Sequence, residues 1–146
     1  MLPHWARLSP SDRVQGSVSP VVPARDHAPA VIWGANDETR LLLRGLLRLH
    51  RHPVLYEART IGDFDGMPPG DGVRILMVDV EGSAGDWSAE LARTLERHPD
   101  LRAVVILPPR RDPASEAAAY RAGARAVLSR PFSIQELLRA LERAQA

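Results

Sequence analysis

From Ala30 onward, short apolar runs alternate with segments of helical periodicity, and this alternation constrains the fold more than any other feature. The first run, Ala30–Trp33, stops at Gly34 and predicts a buried strand. Four further strands are predicted at 54–58, 73–80, 101–107 and 124–128. Helices are predicted at 38–50, 86–98, 113–122 and, behind a Ser133 cap, up to Arg143. The order predicts a doubly wound, five-stranded parallel sheet in a three-layer α/β/α fold.

The first predicted helix carries two patterns that assign its faces. Asn36 is its predicted N-cap. Arginines recur at positions 40, 44, 48 and 51, which predicts a solvated face or, as an alternative, a docking surface. The core face is predicted to comprise Leu42, Leu43, Leu46, Leu47 and Leu49.

The first 29 residues differ from the rest of the chain. They contain five prolines among serines and charged residues, a composition that predicts a flexible tail at 1–29 before a domain at 30–146. Residues 59–72, rich in glycine and proline, leave room for one short helix near Thr60–Phe64. No apolar segment approaches the length of a membrane span, so a cytoplasmic location is the default expectation.

Composition excludes several kinds of chemistry. The chain has no cysteine, and all of its 19 basic residues other than histidine are arginines, so thiolate nucleophiles and lysine Schiff bases are excluded. A net charge of +1 does not favour direct binding of nucleic acid. In parallel sheets, ligands bind beyond the carboxyl ends of the strands. We therefore single out Gly34, Ala35, Asp79, Pro108 and Arg130.

Residues 127–132 read Val-Leu-Ser-Arg-Pro-Phe and follow Arg-Ala-Gly-Ala at 121–124. This segment resembles the end of a response regulator receiver domain, where the family has Ala-Gly-Ala and then Lys-Pro-Phe. The third strand, ending Met-Val-Asp79, resembles the strand that carries the family's phospho-acceptor. The resemblance implies a flavodoxin-like receiver fold in which Asp79 accepts a phosphoryl group from a histidine kinase. It also implies a divalent cation bound by an acidic pair and the acceptor carboxylate.

Several family positions carry other residues here. The acidic pair falls on Gly34 and Ala35, which have no side-chain ligands. The lysine that supplies the family's fixed positive charge corresponds to Arg130 here. We expect Arg130 to contact phosphate in a different geometry. The hydroxyl residue after the fourth strand corresponds to Pro108, and the aromatic switch residue corresponds to Val127. The resemblance therefore implies an atypical receiver, or pseudo-receiver.

Other chemistry-bearing residues have structural interpretations. Asp37 and Glu81 are weak candidates for rescuing a cation site, and we expect no resident metal. His50 and His52 flank a helix end and are interpreted as structural. Trp33 is interpreted as a core residue, with the alternative that it fills the emptied cation pocket.

Three functions remain open from the sequence. The first is a non-enzymatic signalling domain that works by protein–protein contact through its last two helices, with a histidine kinase or an output protein as partner. A homodimer through the C-terminal helix face is a further expectation. The second is a working phospho-receiver at Asp79, the one case that requires Mg²⁺. The third is an anion-binding module that uses Arg130, Arg110 and helix N-termini.

Overall fold

The predicted strand–helix alternation is present in the computed structural model of the chain. The structure describes residues 26–60, 64, 67, 70, 72–83, 85–110 and 112–146. Most of the predicted tail, and most of the helix predicted near Thr60–Phe64, lie outside these residues. The elements are β1 (Ala30–Gly34), α1 (Asp37–Leu49), β2 (Val54–Ala58), β3 (Arg74–Asp79), α2 (Trp87–Arg97), β4 (Leu101–Leu107), α3 (Pro113–Ala122), β5 (Ala126–Ser129) and α4 (Ile134–Gln145).

The five strands form one parallel sheet in the order β2-β1-β3-β4-β5. β3 is central and wholly buried, as its nearly uninterrupted apolar sequence predicts. The register pairs Gly34 of β1 with Asp79 of β3, and Asp79 with Ile106 of β4. The predicted fold class is confirmed.

Two apolar clusters fill the space on either side of the sheet. On one side Val31, Trp33 and Val78 pack with Leu91 of α2 and Ala119 of α3. The other cluster joins alternate strand residues to α1 and α4: Ile32, Met77, Ile106, Leu43, Leu47, Leu137 and Leu141. Side chains alternate between faces along a strand, so each strand contributes to both clusters.

Local sequence signals set most helix ends. Asn36 and Ser133 cap α1 and α4, and Ser133 and Glu136 form the predicted capping box. Gly123 ends α3 in the left-handed conformation, with φ at 113°. β5 begins two residues later than predicted, at Ala126, because Ala124 N–H still bonds back to Ala119 in the helix cap.

The predicted faces of α1 are partly wrong. Leu43 and Leu47 are buried, but the side chains of Leu42 and Leu49 are exposed. Arg40, predicted on the solvated face, is buried because it forms ion pairs with Asp37 and Glu57. Glu57 also pairs with Arg44, so the arginines do not form one open row. Among the described residues, no helix has the length and apolarity needed to cross a bilayer.

Candidate functional site

The carboxyl edge of the sheet brings Asp79 and Arg130 together. Asp79 is the last residue of β3, and Arg130 follows β5 on the far side of β4. Arg130 Nη2 lies 2.9 Å from Asp79 Oδ2. The Asp79 side chain is fully buried, whereas a quarter of the Arg130 side chain is exposed. A pair separated by 51 positions in the sequence therefore meets where sites form in parallel sheets.

The Asp79 carboxylate is held mainly by charge. Its Oδ2 atom has no well-aligned hydrogen-bond donor despite the short contact with Arg130. Its Oδ1 atom accepts the backbone N–H of Glu81 at 3.2 Å. Burial raises the pKa of the Asp79 carboxyl above its ordinary value, and the charge of Arg130 only partly opposes that rise. The contacts with Arg130 and with the Glu81 N–H therefore only partly offset the cost of removing the Asp79 carboxylate from water.

Gly34 occupies the space next to this carboxylate. A Cβ atom added at Gly34 would lie 3.2 Å from Asp79 Cβ and 3.8 Å from Asp79 Oδ2. Ala35, the next residue, is exposed and offers a methyl group only. Neither residue has a side-chain oxygen for a hard cation such as Mg²⁺, which takes oxygen ligands. The site as built does not fit the metal that the receiver resemblance implies.

The other acidic candidates do not replace the missing pair. Asp37 is exposed and forms ion pairs with Arg40 and Arg59, so two guanidinium groups already meet its charge. Glu81 is exposed and contacts Asp79 through its backbone N–H. Within the described part of the chain, no cluster of three histidine, aspartate or glutamate side chains is placed to hold a metal ion.

Two residues of the site were not predicted from the sequence. Thr39 is buried in the first turn of α1, and its hydroxyl lies 3.4 Å from Arg130 Nη2. Arg40 donates to the carbonyl oxygen of Gly34, the residue paired with Asp79. The weak sequence evidence for a role of either residue was its place in the first turn of the helix that Asn36 caps, because that turn approaches the sheet edge.

Several solved structures share this architecture over most of the chain. A Burkholderia thailandensis protein assigned to pilus assembly (CpaE) matches with a TM-score of 0.68 at 23% identity, over 81% of this chain and 98% of that one. The signal receiver domain of a Pseudomonas fluorescens HD domain-containing protein matches with a TM-score of 0.68 at 21% identity, over 86% and 91%. A Thermotoga maritima response regulator matches with a TM-score of 0.64 at 22% identity, over 81% of this chain and 98% of that one.

The chain has the receiver fold. No protein-family model matches the sequence, and no curated protein does either. The likeness therefore rests on architecture, and the structures that share it are response regulator receiver domains.

Pro108 lies at the carboxyl edge of the sheet, and Val127 lies within β5. Pro108 follows β4 and has neither a hydroxyl nor a backbone N–H. Val127 lines a pocket of about 370 Å³ together with Glu116, Glu136 and Arg130. Arg130 therefore belongs both to this pocket and to the ion pair with Asp79. The Arg130–Pro131 peptide bond is cis.

Trp33 does not fill the space beside Asp79. It packs on the α2 and α3 side of the sheet, edge-on to Phe64 with ring centroids 6.5 Å apart. Gly34, one residue on, is the residue that faces Asp79. The core interpretation of Trp33 is supported, and the alternative that it covers a cation pocket is wrong.

His27, His50 and His52 lie at the opposite, amino-terminal edge of the sheet. His52 is buried, its Nδ1 lies 2.8 Å from the carbonyl oxygen of Ala28, and its ring stacks on His27 at 5.0 Å. A carbonyl only accepts, so Nδ1 carries the proton. Burial lowers the pKa of His52, and neighbouring His27 and His50 add to that effect. His27 and His52 thus join the segment that precedes β1 to the segment that precedes β2, away from Asp79.

Proposed function

We propose that this chain is an atypical receiver of the two-component class that signals through protein–protein contact, with a degenerate phosphorylation site at Asp79. The role we propose is that of a non-enzymatic cytoplasmic module with no resident cofactor. The observation that carries the proposal is the replacement of the metal-binding carboxylates by Gly34 and Ala35, beside an Asp79 already paired with Arg130.

Without a bound divalent cation, phosphoryl transfer to Asp79 would lose transition-state stabilisation. A divalent cation neutralises phosphoryl oxygens and typically supplies several kcal/mol of transition-state stabilisation. Arg130 supplies one positive charge, and part of it is engaged by Asp79. Each 1.36 kcal/mol lost slows a reaction about tenfold, so phosphotransfer here would be slower by orders of magnitude.

The surface that supports partner binding is formed by α3, β5 and α4. Its pocket reaches Arg130, so a partner seated there would touch the residue that holds Asp79. Glu116 and Glu136 give the pocket an acidic rim, and Ile134 of α4, two residues before Glu136, exposes an apolar side chain. Such a mixture of polar rim and apolar contact is typical of non-obligate protein interfaces.

The test is capture of partners from native lysate by the wild-type chain and by two variants. Val127→Arg places a charge in the pocket and is expected to abolish capture. Asp79→Asn removes the acceptor and is expected to leave capture unchanged, since binding does not depend on phosphorylation. Equal capture by Val127→Arg and wild type, or loss of capture with Asp79→Asn, would count against the proposal.

A working phospho-receiver is the second candidate. The observation that favours it is the contact between Asp79 and Arg130, because a carboxylate facing a fixed cation is the arrangement that phosphoryl transfer uses. It requires magnesium, and a histidine kinase would be the donor. Calorimetric titration with magnesium separates the two candidates: measurable binding that disappears in Asp79→Asn favours the second, and no binding favours the first.

A further inference from the structure

The outward face of α1 is apolar where a surface helix is normally polar. Leu41, Leu42 and Leu49 are 60%, 58% and 72% exposed. None of these leucines belongs to either core cluster. The cluster on the α1 and α4 side contains Leu43 and Leu47, and Leu46 packs against it. Isolated exposed leucines are ordinary, but three on one face of one helix form a patch.

Gly45 lies at the centre of this patch. It is exposed within the helix, and a Cβ added there would meet no atom within 4 Å. Its φ is not positive, so no left-handed conformation requires glycine. Glycine costs about 1 kcal/mol relative to alanine in a helix interior. Nothing in the described part of this chain accounts for that cost, whereas close approach of a second backbone would.

Helical geometry places these residues together. At about 100° per residue, positions 38, 41, 42, 48 and 49 all fall within about 60° of the direction of Gly45. The buried residues Leu43 and Leu47 point the opposite way. The patch is therefore one continuous stripe, with Gly45 in its middle and leucines on both sides along the axis.

The charges at the ends of the stripe are complementary to each other. Glu38 lies in the first turn of α1 and Arg48 in the last turn, and both are exposed. If the stripe met a second copy of itself antiparallel, Leu41 of one copy would face Leu49 of the other across Gly45. The acidic end of each helix would then lie toward the basic end of its partner, as a two-fold symmetric interface requires.

We propose that α1 is a self-association surface, on which two copies of this chain pack antiparallel with their Gly45 backbones in close approach. The contact is one helix pair, so it falls at the small end of specific interfaces. We infer a reversible dimer with a dissociation constant on the order of micromolar. The pocket at Arg130 contains no residue of α1, so failure of this contact would not affect the function proposed above.

The sharpest test is Gly45→Gln, because its two expected effects have opposite signs. Glutamine favours the helix and its Cβ has open space, so the monomer should melt at a higher temperature. The same side chain blocks close approach, so association measured by sedimentation equilibrium should weaken at least tenfold. Higher stability with unchanged association would overturn the proposal, as would a monomeric wild type across the micromolar range.

Matched controls identify the surface. Leu49→Glu should abolish the dimer, whereas Tyr120→Glu on α3, also at an exposed apolar side chain, should leave it intact. Reversing both charges, with Glu38→Arg and Arg48→Glu in one chain, should restore association that either change alone weakens. Loss of the dimer with Tyr120→Glu but not with Leu49→Glu would assign association to α3 and overturn the proposal.

Discussion

Gly34 and Asp79 are direct partners across β1 and β3, and the space between them is too small for an unadjusted side chain. A Cβ at Gly34 would lie 3.2 Å from Asp79 Cβ, so any larger residue requires a shift of a few tenths of an ångström. The carboxylate of Asp79 is thus enclosed by a glycine on one side and by Arg130 on the other. The predictions below follow from that enclosure and from the burial of Asp79.

Restoring an acidic pair should create magnesium binding. The double variant Gly34→Asp, Ala35→Asp places carboxylates beside Asp79, and we expect it to melt below wild type without metal because of crowding and like charge. Added magnesium should raise the melting temperature of the double variant and leave wild type unchanged. The same pair in an Asp79→Asn background is the control, and a magnesium shift in the wild-type protein would contradict the prediction.

Asp79→Asn should stabilise the fold at neutral pH. The pKa of Asp79 is raised chiefly by burial, so the native state is penalised when the carboxyl ionises. The gain from asparagine is present above the folded-state pKa and disappears as pH falls to the ordinary value of 3.8, where wild type is protonated too. Thermal melts should show it, at about 4 °C per kcal/mol for a domain of this size.

The exposed Glu96 of α2 provides the control for that experiment. Glu96→Gln removes one negative charge without touching a buried carboxylate. We expect its melting temperature to change little with the same pH series. A lower melting temperature for Asp79→Asn than for wild type at pH 7 would show that Arg130 outweighs the cost of burial.

Asp79 and Arg130 should be energetically coupled. Arg130→Ala leaves a fully buried carboxylate without its counter-charge, and the cost in free energy of unfolding should be about 1–3 kcal/mol, because Arg130 is itself partly solvated. The same substitution in an Asp79→Asn background should cost much less. A double-mutant cycle by urea denaturation measures the coupling, and additivity within about 0.5 kcal/mol would show that the pair is not coupled.

His52→Asn should reduce the loss of stability on acidification. The pKa of His52 is lowered mainly by burial, so the native state resists its protonation and loses stability as pH falls below the ordinary value of 6.5. Asparagine can still donate to the Ala28 carbonyl without titrating. Melting temperatures between pH 7.5 and 5.5 should fall less for this variant than for wild type or for a His98→Asn control.

Local sequence signals sufficed for the sheet and for one contact of the site. Strand order along the chain, the Ser133 capping box and the meeting of Asp79 with Arg130 all follow from short patterns plus the geometry of parallel strands. The receiver fold itself was predicted from the resemblance of residues 121–132 and of the strand ending at Asp79 to that family, and the comparisons bear it out.

Long-range pairing accounts for what the sequence did not reveal. Arg40 looked solvent-facing because its partner Glu57 comes from β2, 17 positions away. Thr39 contacts Arg130 across 91 positions, and no local pattern encodes that contact. The leucines of α1 are so numerous that periodicity alone could not separate buried Leu43 from exposed Leu42 and Leu49.

The most direct test of the central claim is intact mass spectrometry after incubation with a small phosphodonor and magnesium. Because Gly34 and Ala35 supply no metal ligands beside Asp79, the account predicts the unmodified mass for the wild-type chain, the same as for Asp79→Asn. A magnesium-dependent phosphoryl adduct on the wild type that is missing from Asp79→Asn would contradict it.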